Sequence, residues 1–249
     1  MPKEKSKGHR IMYIWIIAAF IAYFVKGLCG FANTLVFTSI LSFGAPNTNI
    51  SPIDLLLGCP MNLILVWKNR RSLDSKVYLP LAALVLAGSI PGAFLLKNGN
   101  AGVIKLAFGA IVIALGAEML LRECGKGRVR SSGTVLTIIG VAAGMLCGLF
   151  GVGALLAAYV SRVTEDGDSF KANISAVFIA DNTFRVVLYS ALEILTADSL
   201  TAALILIPFA LLGLIAGMLC SGHVDNRRIK KITSILLVLS GISLILKNL

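Results

Sequence analysis

Acidic residues are scarce in this sequence and charge of either sign is thin: 12 Asp and Glu stand against 23 Lys and Arg, and charged residues total only 14%. A soluble domain carries roughly 25% charged residues, so the chain lacks the polar groups that would cover a water-facing surface. Histidine is almost missing, with His9 and His223 both in charged stretches, and no HExxH, GxSxG or Walker A sequence occurs. No nucleophile and base set, metal site, cofactor site or ATP-driven step is therefore expected, which argues against an enzyme. The cysteines Cys29, Cys59, Cys124, Cys147 and Cys220 form no CxxC or CxxH spacing. Odd in number and mostly inside apolar stretches, they read as buried thiols rather than a disulfide framework or zinc ligands. The basic excess lies in short clusters without the aromatic interleaving of a single-strand groove, so no nucleic-acid partner is expected.

What the chain has in abundance is apolar sequence, with 57% hydrophobic residues in 249 and a mean hydropathy of +0.88. These residues come in blocks at 11–26, 30–43, 51–67, 77–97, 101–121, 132–147, 150–161, 172–192, 198–220 and 231–246. A hydrocarbon core of about 30 Å is crossed by roughly 20 helical residues, and most of the blocks have that length. The expected fold is all-α, a polytopic transmembrane helix bundle of 8–10 membrane segments in one domain over 1–249. Its surroundings are the lipid bilayer; assembly into a homo-oligomer is left open. The basic start followed by Ile11 to Phe24 has the form of a signal peptide, but no small-x-small site closes it, and a retained first helix is the expectation. Blocks 30–43 and 150–161 are too short to cross and read as half-helices or re-entrant pieces of broken helices.

The two short blocks open alike. Gly27-Leu28-Cys29-Gly30 aligns with Gly148-Leu149-Phe150-Gly151 at an offset of 121, Asn62 with Asn182 at 120, and Gly88, Gly92 and Lys105 with Gly213, Gly217 and Lys230 at 125. Matches in one order, with offset changes that fall in loops, indicate a duplication: repeat 1 about 11–121, repeat 2 about 132–246, and a basic linker over 122–131. Loop 68–76 holds Lys68, Arg70, Arg71 and Lys76, whereas its counterpart near 193–198 holds Glu193 and Asp198 and no basic residue. Equivalent loops thus face opposite sides and the halves read as inverted. Ten crossings with the N-terminus outside, counting Lys26, Arg162 and Lys171 as cytoplasmic loop residues, give a stronger positive-inside bias than eight crossings with it inside.

Inverted halves with broken helices point to a transporter, because freed backbone groups at membrane depth are tolerated only where they line a cavity or find protein partners. The expected breaks are Gly27-x-x-Gly30 and Gly148-x-x-Gly151-x-Gly153, where half-helix N-termini favour an anion; the alternative is tight helix packing on small residues. Arg185 stands half-way along its block, with Asp181 one turn earlier. Its guanidinium is either a forked donor for an oxyanion or the neutralising partner of Asp181. Asn62 and Asn182 offer amides to a solute or bridge helices. Asn33, at the first break, has no polar match in the second half, while Pro60 and Pro91 read as kinks. Asp181 is the one carboxylate this reading sets well inside the membrane, and so the candidate for proton coupling.

At the two glycine motifs, the paired asparagines and the duplicated plan, the sequence resembles the sulfite exporter TauE/SafE family, also called the toluene sulfonate uptake permease family, over about residues 20–247. Gly148-Leu149-Phe150-Gly151-Val152-Gly153, Gly88-Ser89-Ile90-Pro91-Gly92 and Gly213-Leu214-Ile215-Ala216-Gly217 carry the likeness; Phe31-Ala32-Asn33-Thr34 replaces the glycine run usual in the first half. The resemblance implies a multi-pass plasma-membrane transporter of sulfite, sulfonates or related organosulfur anions. The expectation is a secondary transporter or facilitator for a small anion, with a site built from Gly27, Gly30, Asn33, Asn62, Gly148, Gly151, Gly153, Asn182 and Arg185. The alternative is a non-transporting membrane scaffold.

Overall fold

The first helix stops where the backbone turns left-handed. In a computed structural model of the chain, which describes residues 2–41, 47–98, 154–164, 166–191 and 193–223 with scattered positions in 110–121, at 137 and in 228–246, α1 (Pro2–Cys29) ends at Gly30 with φ +86°. Only glycine enters that region without steric cost. The Gly30 N–H donates to the Lys26 carbonyl, the last bond of α1. Two residues on, Ala32 has φ +73°, a strained conformation worth about 1–3 kcal/mol that packing must hold. A short α2 (Asn33–Leu41) then begins, its first bond running from the Val36 N–H to the Ala32 carbonyl. Nine residues reach only about 13 Å, so α2 is the half-helix expected of block 30–43.

The remaining elements are α3 (Asn47–Lys68), a 3-10 turn at Arg70–Ser72, α4 (Ser75–Asn98), α5 (Ala154–Val163), α6 (Gly167–Ala191) and α7 (Ala197–Ser221); all regular structure among the described residues is helical. Local chemistry fixes their ends. Asp74 accepts from the Lys76 N–H and Asp166 from the Ser169 N–H at the starts of α4 and α6, and Thr196 with Ser199 forms a capping box on α7. Blocks 101–121, 132–147 and 231–246, the linker 122–131, and with them the crossing count lie largely outside the described residues.

Contacts fix helix directions. A Cβ on Gly213 would strike the Phe20 backbone and one on Gly217 the Phe24 backbone, so α1 and α7 run parallel at close approach. By contrast Ser51 meets Arg185, Gly58 meets Asn182 and Ser72 meets Asn173, so α3 and α6 run antiparallel. Loop 69–74 is tied to the start of α6, where Asn173 accepts from the Asp74 N–H at 3.0 Å, whereas loop 193–196 follows its end. About 27 Å of helix separates residue 173 from residue 191.

The polarity is inside out. Large apolar side chains face outward from α1 (Tyr13, Ile17), α3 (Leu63, Trp67) and α7 (Leu204, Leu212, Leu219), while Lys26, Asp54, Lys171, Asp181 and Arg185 are buried. That arrangement suits lipid outside and polar contacts within. Met12–Cys29, Ile50–Lys68 and Ala197–Ser221 are long and apolar enough to cross a membrane. Exposed Trp67 stacks on Arg70 at 4.9 Å, an aromatic and basic pairing of the kind found at a bilayer surface. Several of the expected loop cations lie in helix ends, Arg162 and Lys68 in last turns among them, and two are buried there: Lys26 in the last turn of α1 and Lys171 in the first turns of α6, 1% and 5% exposed. Their long apolar stems extend the buried helices, and charge counting alone treats them as surface.

Candidate functional site

Helical spacing brings the polar residues of α6 onto one face. Lys171, Ser175, Asn182, Arg185 and Tyr189 recur at intervals of three, four or seven, as do Ser51, Asp54, Gly58 and Asn62 on α3. The two stripes face each other across the antiparallel contact and make a polar seam through an apolar bundle. Asn62 and Asn182, matched by sequence, meet there. A Cβ on Gly58 would lie 3.1 Å from Asn182 Nδ2, 4.0 Å from Asn62 Nδ2 and 3.9 Å from the Tyr23 hydroxyl. Glycine at 58 thus leaves room for three polar groups from α1, α3 and α6. Two atoms on the seam, Asn62 Oδ1 and Ser175 Oγ, are buried without a hydrogen-bond partner. Each such orphan costs about 1–3 kcal/mol.

A second group sits at the helix break. Lys26 Nζ donates to Asn33 Oδ1 at 2.9 Å, and Asn33 Nδ2 donates to Asp54 Oδ1 at 3.1 Å, so Asn33 bridges a buried cation and a buried anion. Tyr23 donates to Asp54 Oδ1 at 3.1 Å and Thr34 to Asp54 Oδ2 at 2.5 Å. Lys26 also lies 5.0 Å over the Phe178 ring of α6. The start of α2 is where a half-helix dipole favours negative charge, and Asp54 supplies it from within the protein. Asp54 is thus a second buried carboxylate beside Asp181, 5% and 1% exposed. It occurs four residues into block 51–67, near its edge, on α3, which begins a turn earlier, at Asn47.

Arg185, 5% exposed, donates from Nη2 to Ser51 Oγ at 3.2 Å and to the Tyr189 hydroxyl at 2.9 Å, and Ser51 and Tyr189 lie 3.2 Å apart. Neutral hydroxyls orient the guanidinium across the seam, and Asp181 is buried one turn earlier. At the other end of α6, Lys171 donates to Ser221 of α7 while its stem packs beneath Gly30.

Of the expected break glycines, Gly30 forms the break. Gly27 does not: it lies inside α1, where a Cβ would run into the backbone of α7 at Leu214, Gly217 and Met218, and its small size serves helix packing. Gly148, Gly151 and Gly153 lie outside the described residues. Ser51, Tyr23, Lys26, Asp54 and Tyr189 were missed as site residues, although a helical wheel of α3 sets Ser51 and Asp54 on the face of Asn62. No group of three or more His, Cys, Asp or Glu able to hold a metal occurs among the described residues.

Compared with known proteins, the sequence matches the profile of the sulfite exporter TauE/SafE family over residues 15–244. Neither curated proteins nor solved structures gave a match. The match runs through every helix described above, and the family is one of membrane transporters, not enzymes. An apolar exterior in contact with lipid and a polar interior fit that class, with a small anionic solute as cargo. The chain belongs to the sulfite exporter TauE/SafE family.

Proposed function

We propose that the chain carries a small oxyanion of sulfur, sulfite or a sulfonate, across the plasma membrane by alternating access about the α3 and α6 seam. The observation that carries this reading is the convergence of the amide nitrogens of Asn62 and Asn182, both hydrogen-bond donors, beside Gly58 in a buried region that also holds the cations Lys26 and Arg185. A scaffold has no need of two amide donors and two cations gathered in its core, whereas an oxyanion accepts from all of them. Amides orient the solute, and Arg185 supplies forked donors to an oxyanion. Two inverted halves are supported by the antiparallel course of α3 and α6, which carry the matched asparagines, and by the starts of the matched helices α4 and α7 at opposite ends of α6. Such halves can rock about a central site.

The test is counterflow in proteoliposomes against a panel of sulfite, sulfate, ethanesulfonate and taurine, with Asn62→Leu beside the unaltered protein. Saturable exchange of sulfite or a sulfonate is expected. Asn62→Leu should stay folded, because a near-isosteric apolar side chain removes an unsatisfied group costing about 1–3 kcal/mol, yet its exchange should fall at least tenfold. Absence of exchange for every anion would favour the scaffold, and unchanged exchange in Asn62→Leu would take the asparagine pair out of the site.

A further inference from the structure

Lys26 and Asp54 make the region around the break electrically neutral when empty, and this charge count has a consequence for transport. A monovalent anion entering beside Lys26 would leave one net negative charge in a low-dielectric interior, a state with a large desolvation cost. One proton on Asp54 cancels it. The carboxylate is placed for such an exchange, because its hydrogen bonds come from two elements on either side of the break: Tyr23 from α1, and Asn33 and Thr34 from α2. When Asp54 takes up a proton, its acceptor capacity falls, Asn33 loses the anion that orients its amide, and Lys26 loses its counter-charge. Lys26 then needs a new anion, and the solute supplies it. Ala32, held at φ +73° between Gly30 and Asn33, is strained backbone that can relax when those bonds weaken.

We infer that Asp54 is the coupling site of the transporter, taking up one proton for each monovalent anion bound beside Lys26, so that proton and anion cross together. The inference rests on the transport reading above and extends it. The groups that face Asp54 among the described residues agree with the count. Tyr23 and Lys26 come from α1, Cys59 lies one turn along α3 within electrostatic reach of Asp54, Lys26 and Arg185, and α2 brings no charge. The α6 face brings Arg185 and Asp181, of opposite sign and one turn apart, and α7 brings Asp198, which lines a cleft with Met12, Trp15 and Ile53 at its far end. Asp181 shares a helix with Arg185, whereas Asp54 joins α3 to both sides of the break, so its protonation acts on backbone that can move.

Linkage is reciprocal: a proton on Asp54 tightens anion binding, so affinity rises as pH falls, by about tenfold per pH unit wherever Asp54 is ionised in the empty protein. Ethanesulfonate is the suitable probe, because its own charge does not change over that range, as that of sulfite does. In proteoliposomes of the full chain with a trapped pH-sensitive dye, the unaltered protein should move about one proton inward per ethanesulfonate taken up. Asp54→Asn, a permanently neutral stand-in for the protonated acid, should exchange ethanesulfonate at a pH-independent rate and move no protons, while Asp181→Asn should keep the proton-to-anion ratio. Proton flux that survives Asp54→Asn, or is lost in Asp181→Asn alone, overturns the assignment. Should Asp54→Asn not fold, calorimetry of ethanesulfonate binding to the unaltered protein in buffers of differing ionisation enthalpy decides instead: uptake of about one proton supports the assignment and uptake of none overturns it. No counterflow in the unaltered protein would sink the transport reading and this inference with it; counterflow together with net ethanesulfonate uptake that moves no protons sinks the inference alone.

Discussion

Replacing Lys26 by methionine keeps most of the side-chain volume and removes the charge. It breaks the charge-assisted bond to Asn33 Oδ1 at 2.9 Å and the stacking on Phe178 at 5.0 Å, worth about 1.5–3 kcal/mol and about 0.5–2 kcal/mol. It also leaves Asp54, 5% exposed, without the cation that Asn33 links to it. Removing one member of a buried pair costs about 3–5 kcal/mol, mostly through the charge left behind, in line with the sum of the parts. Lys26→Met should therefore lower stability by about 3–5 kcal/mol, and adding Asp54→Asn should recover at least half of the loss although it deletes a second native group. The measurement is a double-mutant cycle by reversible unfolding in mixed micelles. Additive losses, or a cost below about 1 kcal/mol for Lys26→Met, the level of an exposed pair, would refute the argument that the two charges balance through Asn33.

Three further outcomes follow from the geometry. Gly217→Ala should lower stability by about 1–3 kcal/mol in the same assay, because its Cβ meets the Phe24 backbone and neither helix can yield by rotating a side chain, while Gly222→Ala, with 3.5 Å to its nearest neighbour, should cost far less. Arg185→Lys should fold, keep a contact with Ser51 or Tyr189, and weaken half-saturation for a sulfonate at least tenfold, since an ammonium lacks the planar fork; unchanged half-saturation would remove Arg185 from the site. Single cysteines at Ser72 and at Ala197 in a Cys-free background should be labelled from opposite sides of the membrane, because the two loops lie at opposite ends of α6; same-side labelling would refute the antiparallel course of α3 and α6.

The positions of α3, α4, α6 and α7 were legible to within a few residues, because the apolar blocks have the length a bilayer dictates and caps such as Asp74 and Thr196 mark their starts. The first break was legible at Gly30. Its companion Gly27 was not, since a Gly-x-x-Gly spacing does not tell a helix end from a contact surface; what decides is the partner, here the α7 backbone at Leu214, Gly217 and Met218, about 190 residues away. Asn62, Asn182 and Arg185 were legible as isolated polar residues in apolar surroundings. Lys26 and Lys171 were misread because each borders an apolar block, where charge counting assigns it to a loop. Links such as Arg185 to Ser51, 134 residues apart, exist only once α3 and α6 are packed, and no local pattern announces them.

The charges and the amides are distributed differently over the two repeats proposed above, and the difference bears on the proposed mechanism. At the offset of 120, Asn62 maps onto Asn182, whereas Asp54 maps onto Ile174, Arg185 onto Leu65 and Ser51 onto Lys171; at 121, Lys26 maps onto Cys147. The matched amides lie where antiparallel α3 and α6 cross, so an approximate two-fold axis there would leave their place nearly unchanged when the halves exchange roles, and a solute held by them can be offered to either side. The Lys26 and Asp54 group belongs to the break of one half and Arg185 to the helix of the other, so exchanging roles moves each cation relative to the solute. Under the alternating-access proposal the two access states are then unequal in energy, and the anion and any coupled proton would set which is populated. On that proposal, amides matched across the repeats hold the solute and unmatched charges bias the two states.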